Sequence, residues 1–287
     1  VCLELAPRIK EAVPNTELAV LYGGMEEEYN YTQLVIATTH QLYRFKKAFD
    51  VLIIDEVDAF PFHSDDSLQF AANKAKKKEG SLIFLSATPS RSMQGQVKNK
   101  KLLATILPAR YHGYPLPVPQ LKWCNHWHRK LLKNPLKTSF GKKVASLIKN
   151  EKRFIIFVPN IEWMLKFEKR LRTLFPHHSF EAVSAEDPER KSKVRLMREK
   201  QLQFLISSTI LERGVTFPNI DVLVIGAEDR VFTESALVQI AGRCGRSADY
   251  PTGDVFFYHE GKSLAMKRAV KQIQKMNDLA KKKELIR

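Results

Sequence analysis

The amino-acid sequence predicts an α/β protein in two halves, each built on a parallel sheet flanked by helices. Three observations support this prediction. Short apolar runs recur along the chain, longer amphipathic stretches lie between them, and a proline-rich segment separates the two halves. Parallel strands that are buried on both faces and joined by crossover helices produce this alternation.

Eight apolar runs are predicted to be buried strands. The first half contains Ala19–Tyr22, Leu34–Ala37, Val51–Ile54 and Leu82–Leu85. The second half contains Phe154–Val158, Phe204–Ile206, Val222–Ile225 and Val255–Tyr258. From about Ser263 to Ile286, apolar residues recur near helical spacing with lysines between them, which predicts an amphipathic terminal helix.

The proline-rich segment predicts the boundary between the halves. Pro115, Pro117 and Pro119 alternate with other residues, force an extended backbone and exclude a helix. We therefore expect a first domain at 1–108, a linker at 109–122 and a second domain with a basic terminal helix at 123–287.

Composition excludes several classes of protein. The 287 residues are 44% hydrophobic and 27% charged, as in a globular chain rather than a disordered one. No apolar run reaches the roughly 18 residues of a membrane-spanning helix, so an integral membrane protein is not expected. No secretion signal is visible, and three cysteines do not suit a disulfide framework. The chain opens on Val1 within an apparently helical stretch, which predicts a fragment.

The net charge of +16 predicts a polyanionic partner. The chain has 47 Lys and Arg residues against 31 Asp and Glu residues. Such a surplus of positive charge attracts phosphates but not neutral ligands. The surplus is concentrated at 189–200 and 262–287. A solvated helix face explains either segment, taken alone, equally well.

Acidic residues follow the third predicted strand. Asp55 and Glu56 come directly after it, and Asp58 follows two residues later. Open parallel sheets place their ligands at this end of the strands. An Asp there can hold Mg²⁺ through water, and a Glu can orient a water against a γ-phosphate. A strand that simply ends in an acidic loop has the same sequence.

Two hydroxyl residues, Ser86 and Thr88, follow the next predicted strand. At the tip of a neighbouring strand they can donate hydrogen bonds to Asp58 and so report the state of a nucleotide site. A helix cap is the alternative interpretation of this pair.

The segment from Gln239 to Arg246 reads Gln-Ile-Ala-Gly-Arg-Cys-Gly-Arg. Arg243 and Arg246 are three residues apart and share a face if the segment is helical. Two guanidinium groups on one face suit a triphosphate, as arginine fingers do, and the glycines permit close backbone approach. An incidental surface helix would not need Gln, two Gly and two Arg at this spacing.

Asp-Glu-Val-Asp, Ser-Ala-Thr and Gln-x-x-Gly-Arg-x-Gly-Arg, in this order, resemble the motifs of superfamily 2 helicases. Longer strings at 55–62, 211–218 and 231–243 are similar to the ComFA family of late-competence DNA-uptake proteins. The resemblance covers essentially the whole chain. It implies two RecA-like domains, ATP and Mg²⁺ as cofactors, and a motor on single-stranded DNA during transformation. It also implies a cytoplasmic location, at the inner face of the membrane, with other competence proteins as partners.

The resemblance assigns roles residue by residue. Its catalytic set is Asp55, which would hold Mg²⁺ through water, Glu56, Arg243 and Arg246. Its nucleotide-binding and coupling set is Asp58, Ser86, Thr88, Gly214 and Gln239. Its DNA-backbone contacts are Gly23, Gly24, Thr38, Thr39, Asn160, Ser208 and Thr209, each of which ends a predicted strand and can present amides or hydroxyls to phosphate. Turn glycines and helix caps explain the last set without a ligand. Thr216 stands where many superfamily members carry Asp, so no ribose contact is assigned to it.

Two features of the family are missing from the sequence. An ATP-driven helicase needs a Gly-x-x-x-x-Gly-Lys-Ser/Thr loop upstream of the acids, and nothing before Asp55 matches it. Gly261-Lys-Ser263 lies between a strand and a helix, but Phe256 occupies the position of the first glycine, so we interpret it as a helix start. The family's four-cysteine zinc module is also missing. We expect the first domain to lack its P-loop and first strand, and this chain alone to be inactive although its parent is an ATPase.

Other interpretations stay open. The same motifs suit a primosomal or repair-type superfamily 2 helicase, and a fragment that binds nucleic acid without hydrolysing ATP. Cys124, His126 and His128 can offer three metal ligands from one face of a strand, but no fourth ligand follows at zinc-like spacing, and strand alternation explains them. Three tryptophans can stack on bases, although packing explains them as well: Trp123, Trp127 and Trp163.

Overall fold

The computed structural model describes residues 2–25, 29–212 and 214–286. The chain forms two compact units, one ending at Ala104 and the other beginning at Thr105. Within the described residues, every pair of neighbouring strands runs parallel and helices connect most of them. The predicted α/β class with parallel sheets is therefore confirmed.

The first unit contains two parallel strand pairs, β1 with β2 and β3 with β4. Its elements are α1 (Cys2–Ala12), β1 (Leu18–Leu21), β2 (Leu34–Ala37), β3 (Phe49–Ile54), α2 (Asp66–Ala75), β4 (Lys76–Phe84) and α3 (Arg91–Lys98). Short 3₁₀ turns occupy Thr39–Arg44 and Phe62–Ser64. Asp65 caps α2, because its carboxylate accepts hydrogen bonds from the backbone N–H groups of Ser67 and Leu68.

The core of the first unit lies on one side of the β3–β4 pair. Leu68 and three alanines of α2 are fully buried there and pack with Ile54, Leu52 and Leu82. On the other side, Val51 and Ile53 are 54% and 55% exposed. The prediction of fully buried strands is therefore wrong for this pair, because α2 covers only one of its faces.

The second unit is a three-layer structure around a six-stranded parallel sheet of order β5-β10-β9-β6-β8-β7. Its strands are β5 (Gln120–Trp123), β6 (Phe154–Phe157), β7 (Phe180–Val183), β8 (Phe204–Ser207), β9 (Asp221–Ile225) and β10 (Val255–His259). Its helices are α4 (Trp127–Lys133), α5 (Ser139–Lys149), α6 (Ile161–Leu174), α7 (Arg190–Arg198), α8 (Glu234–Ala241) and α9 (Leu264–Lys282). Further 3₁₀ turns lie at Pro135–Lys137 and Thr209–Leu211.

Two apolar clusters fill the space between the layers. Alternate residues of each central strand face opposite sides, so that Ile155 and Phe157 pack with α7, α8 and α9. Phe154 and Ile156 pack with α4, α5 and α6 on the opposite side. The predicted terminal helix is present as α9, whose buried face includes Met266, Ala269 and Ile273.

The chain around Cys124 differs from the prediction. Strand β5 ends at Trp123, and His126 adopts φ 49°, a left-handed conformation that turns the backbone into α4. Cys124 is buried, whereas His126 and His128 are exposed. The prediction that these three side chains share one face of a strand is therefore wrong, because the strand has already ended.

Candidate nucleotide and nucleic-acid sites

The acidic turn of the first unit directly follows β3. Asp55 is exposed and Glu56 is half-buried. Glu56 adopts φ 54°, a left-handed conformation that is uncommon for residues other than glycine. The next residue, Val57, donates its N–H to the carbonyl oxygen of Leu85 at 3.0 Å, so the end of β4 holds the turn in place.

Asp58, Ser86 and Thr88 lie together at the ends of these two strands. The Ser86 hydroxyl donates to Asp58 Oδ1 at 2.5 Å, and the Thr88 hydroxyl donates to Asp58 Oδ2 at 2.8 Å. The backbone N–H of Thr88 donates to the Ser86 hydroxyl at 2.9 Å. Both carboxylate oxygens are therefore engaged by residues that follow β4, and a displacement of Asp58 would be passed to them.

Four predicted backbone-contacting residues of the first unit follow β1 and β2. The register pairs Leu21 with Ala37, so the two strands end at the same edge. Gly23 and Gly24 follow β1, are exposed and have open space where a side chain would project. Thr38 and Thr39 follow β2 and are half-buried. These groups can therefore meet a ligand at that edge.

Three further predicted contacts follow β6 and β8, which are neighbours in the second sheet. Asn160 is exposed, and its side-chain oxygen accepts the N–H of Trp163 at 2.8 Å, which caps α6. Ser208 is 9% exposed, and Thr209 begins a 3₁₀ turn. The helix-cap interpretation therefore applies to the Asn160 side chain, while all three residues still lie at one edge of the sheet.

The arginine segment does not form the single helix face that the sequence suggests. Helix α8 contains Gln239, which is 6% exposed, and ends at Ala241. Gly242 caps the helix, and a turn over 242–245 contains Arg243 and leads into Arg246. The condition for a shared helical face is therefore not met, because Gly242 ends α8 before both arginines.

The two arginines differ in exposure and in partner. Arg243 is 2% exposed and donates from Nε to the carbonyl oxygen of Glu212 at 3.1 Å. Arg246 is half-buried, donating from Nε to the Gly242 carbonyl at 2.9 Å and from Nη1 to the Thr216 hydroxyl at 3.3 Å. Gly214, with φ 73°, lies between Glu212 and Thr216 in the sequence. The side chains of Arg243 and Arg246 thus join the arginine segment to the loop that contains Gly214.

Arg110, which no sequence motif indicates, also contacts the arginine segment. Its Nη1 donates to the carbonyl oxygens of Cys244, at 2.6 Å, and Gly245, and its Nη2 donates to that of Gly242 at 3.0 Å. Burial, reinforced by the charge of Arg246, lowers the pKa of Arg110 to about 10. The sequence does contain one indication of a specific role for Arg110, because it is the only Lys, Arg, Asp or Glu between Lys101 and Lys122.

Replacing Arg110 by Ala is expected to lower the free energy of unfolding by about 2–4 kcal/mol, because three partly buried carbonyl groups lose a charged donor. Chemical denaturation measures this change. The matched control is Arg129→Ala, which removes an exposed arginine and should stay within about 0.5 kcal/mol of wild type. An Arg110→Ala variant as stable as that control would contradict the structural role.

The cysteine and histidine residues give no sign of a metal centre. Burial raises the pKa of the Cys124 thiol to about 11 and that of the Cys244 thiol to about 12, which opposes the thiolate form that binds metals. No group of three or more His, Cys, Asp or Glu side chains within residues 2–25, 29–212 and 214–286 is arranged to hold a metal ion. Over the same ranges, no helix has the length and apolarity needed to cross a membrane.

Comparison with known proteins finds helicases and competence proteins. Residues 139–248 match the helicase conserved C-terminal domain. The competence protein ComFA of Bacillus subtilis (strain 168) is 45% identical over 99% of this chain, and that of Streptococcus pneumoniae is 42% identical over 96%. The chain spans 61% and 64% of the length of these two relatives.

Solved structures show the same fold. Saccharomyces cerevisiae Dbp5 bound to RNA and ADP BeF3 matches with a TM-score of 0.66, at 16% identity, over 99% of this chain and 78% of that one. Mycobacterium smegmatis helicase Lhr bound to ssDNA and AMP-PNP matches with a TM-score of 0.62, at 16% identity, over 94% of this chain and 38% of that one. The fold is thus that of the RecA-like helicases. With ComFA proteins 45% and 42% identical over nearly its whole length and a helicase C-terminal domain in its second unit, the chain is similar to the ComFA type of superfamily 2 helicases.

Proposed function

We propose that the whole protein is an ATP-dependent translocase that acts on single-stranded DNA during uptake of transforming DNA, and that this chain supplies part of its motor. The observation that carries the proposal is the similarity to two ComFA proteins over nearly the whole chain. Its setting would be the cytoplasm, at the inner face of the membrane, with other competence proteins as partners.

The acidic turn suits the hydrolytic step. Asp55 is an exposed carboxylate at the end of a strand, and Mg²⁺ prefers carboxylate and water oxygens, so Asp55 fits as the residue that holds the ion through water. Bound ATP with Mg²⁺ would supply the phosphoanhydride bond that is cleaved. Glu56 is the neighbouring carboxylate and would align the attacking water.

The hydrogen bonds of Asp58 suit coupling between hydrolysis and movement. Asp58 is two residues from Glu56, and both of its oxygens accept from Ser86 and Thr88. A shift of the acidic turn would therefore move the residues that follow β4. In the second unit, Arg246 is the more accessible arginine and would act as the arginine finger. The buried pair Gln239 and Arg243 would hold the segment in position.

The strand ends suit a nucleic-acid backbone. In each unit, glycine, threonine, serine or asparagine residues follow neighbouring strands at one edge, where amides and hydroxyls can contact phosphates without reading bases. The net charge of +16 adds attraction that does not depend on sequence. Single-stranded DNA is the proposed ligand because the relatives similar over nearly the whole chain are competence proteins.

A binding titration tests this function directly. This chain should bind labelled single-stranded oligonucleotides weakly, with little preference for sequence, and its affinity should fall steeply with salt because binding releases counterions. A phosphate-release assay beside it should show no ATP hydrolysis by this chain. No binding at low salt would contradict the DNA proposal, and DNA-stimulated phosphate release that persists through purification would contradict the placement of the nucleotide.

A further inference from the structure

The second unit carries a basic groove along α4 and the 3₁₀ turn that follows it. This α4 groove is a cavity of about 550 Å³, and the residues that line it include Arg129, Lys130, Lys133 and Lys137 but no acidic residue. All four of these side chains are exposed. The groove therefore presents several positive charges to one occupant.

The sequence around the groove is depleted of acids. From Gly80 to Asn150 the chain has no Asp or Glu, although it has 31 of these residues elsewhere. The same stretch contains 13 Lys and Arg residues. The charge of the groove is therefore not neutralised by its neighbours in sequence, and this separates it from an ordinary mixed surface helix.

Ion pairs distinguish the groove from the basic residues of α6 and α7. On α7, Lys193 pairs with Asp187 at 3.0 Å, and on α6, Lys166 pairs with Glu162 at 2.6 Å. None of the four groove cations pairs with a carboxylate of a described residue, and Lys130 instead donates to the amide oxygen of Asn125 at 2.7 Å. The carboxylates that contact α4, Glu228 and Glu260, do so at Trp127 and His128 and not at these cations. Like charges without carboxylate partners repel one another, and an anionic ligand relieves that repulsion.

Helix α4 is fixed beside the first turn of α6. The indole N–H of Trp163 donates to the carbonyl oxygen of His128 at 2.9 Å, and Arg170 donates to that of Lys133 at 2.9 Å. Asn160, one of the proposed backbone contacts, caps the same first turn of α6. The groove therefore belongs to a helix attached directly to the element that carries a strand-end contact.

We propose that the α4 groove binds the phosphate backbone of a single DNA strand and extends the contact surface that includes Asn160. This inference rests on the proposed function for the identity of the ligand. Arg129 and Lys133 are one helical turn apart and Lys137 follows four residues later, so the cations form a series that suits a chain of phosphates. The Trp123 indole is 61% exposed and lies three residues before His126 of the groove, which favours stacking with an unpaired base.

The test removes the four positive charges of the groove. It compares the resulting loss of DNA affinity with that caused by removing four positive charges elsewhere. In the groove variant, Arg129, Lys130, Lys133 and Lys137 all become Gln. The control variant places Gln at four exposed positions of α9, which are Lys267, Arg268, Lys271 and Lys275. Affinity for a labelled oligo-dT is measured over a salt series, and thermal melting monitored by circular dichroism checks that both variants are folded.

The groove variant should bind at least about tenfold more weakly at low salt. Its plot of log affinity against log salt should also be shallower by about 2–3, since each lost phosphate contact on a single strand contributes about 0.7 to the slope. The control variant should stay within about twofold of wild type. Trp123→Ala should weaken binding about fivefold or more with the salt slope unchanged, because stacking is not electrostatic.

The outcomes separate this inference from the proposed function. If the wild-type chain binds no DNA, the proposed function fails and the inference fails with it. If wild type binds and the groove variant binds equally well, or the two variants lose affinity equally, the inference alone is overturned. A duplex of the same length provides a further arm, because a groove variant that loses affinity only for duplex would overturn the assignment to a single strand.

Discussion

Replacing Glu56 by Gln is expected to abolish DNA-stimulated ATP hydrolysis by the whole protein while nucleotide binding survives. Gln has the shape of Glu, but its amide cannot accept a proton from the attacking water or align it in the same way. Asp58, the next carboxylate of the turn, accepts hydrogen bonds from Ser86 and Thr88 at both oxygens, so it is not equivalent to Glu56. Phosphate release measures turnover, and a fluorescent nucleotide analogue measures binding.

The control for this substitution is Glu79→Gln, which removes an exposed carboxylate from β4 with the same chemical change. Its turnover should match that of wild type. Turnover of the Glu56→Gln protein within a few-fold of wild type would remove Glu56 from the catalytic site, whatever the state of nucleotide binding.

Replacing Arg246 by Ala is expected to reduce hydrolysis about 10³-fold, the lower end of the effect of an arginine finger. Arg246 is half-buried and two of its nitrogens contact Gly242 and Thr216, which limits its conformations before any nucleotide binds. Arg246→Lys keeps the charge but loses the planar fork and should recover only a small part of the rate. Single-turnover measurements of phosphate release give these rates.

The exposed Arg230, after β9, supplies the control, and Arg230→Ala should hydrolyse ATP at the wild-type rate. Wild-type hydrolysis by the Arg246→Ala protein would show that this arginine lies outside the site. Equal loss in both variants would indicate a general effect of charge rather than a specific contact.

The sequence predicted contacts that depend on strand ends and missed those that depend on tertiary packing. Asp58, Ser86 and Thr88 could be placed together because each follows an apolar run, and parallel strands end at one edge. Strand β5 was missed because Gln120-Leu-Lys-Trp123 is short, polar and next to prolines, and it pairs on only one side as an edge strand. The exposure of Val51 depends on which helices cover β3, which local hydrophobicity does not reveal.

The end of α8 and the position of Arg110 illustrate the same limit. Gly242 is a common helix terminator, but the Gln-x-x-Gly-Arg-x-Gly-Arg spacing also fits a continuous helix, so the sequence alone left the arginine geometry open. Arg110 is 132 residues from Gly242, the acceptor nearest to it in sequence, and no local pattern connects the two. Their contact follows from the path of an irregular segment over the surface of the second unit.

The attachment of Arg110 also determines how mechanical force enters the second unit. Arg110 lies six residues after Ala104, where the first unit ends, and is followed by a second attachment in which the backbone of Leu116 and the side chain of Asn277 exchange two hydrogen bonds. A pull on the chain from its N-terminal side therefore loads the carbonyl groups of Gly242, Cys244 and Gly245 before it loads α9 or the sheet. Tension in the segment before Arg110 would thus reach the residues next to Arg243 and Arg246 before the rest of the second unit.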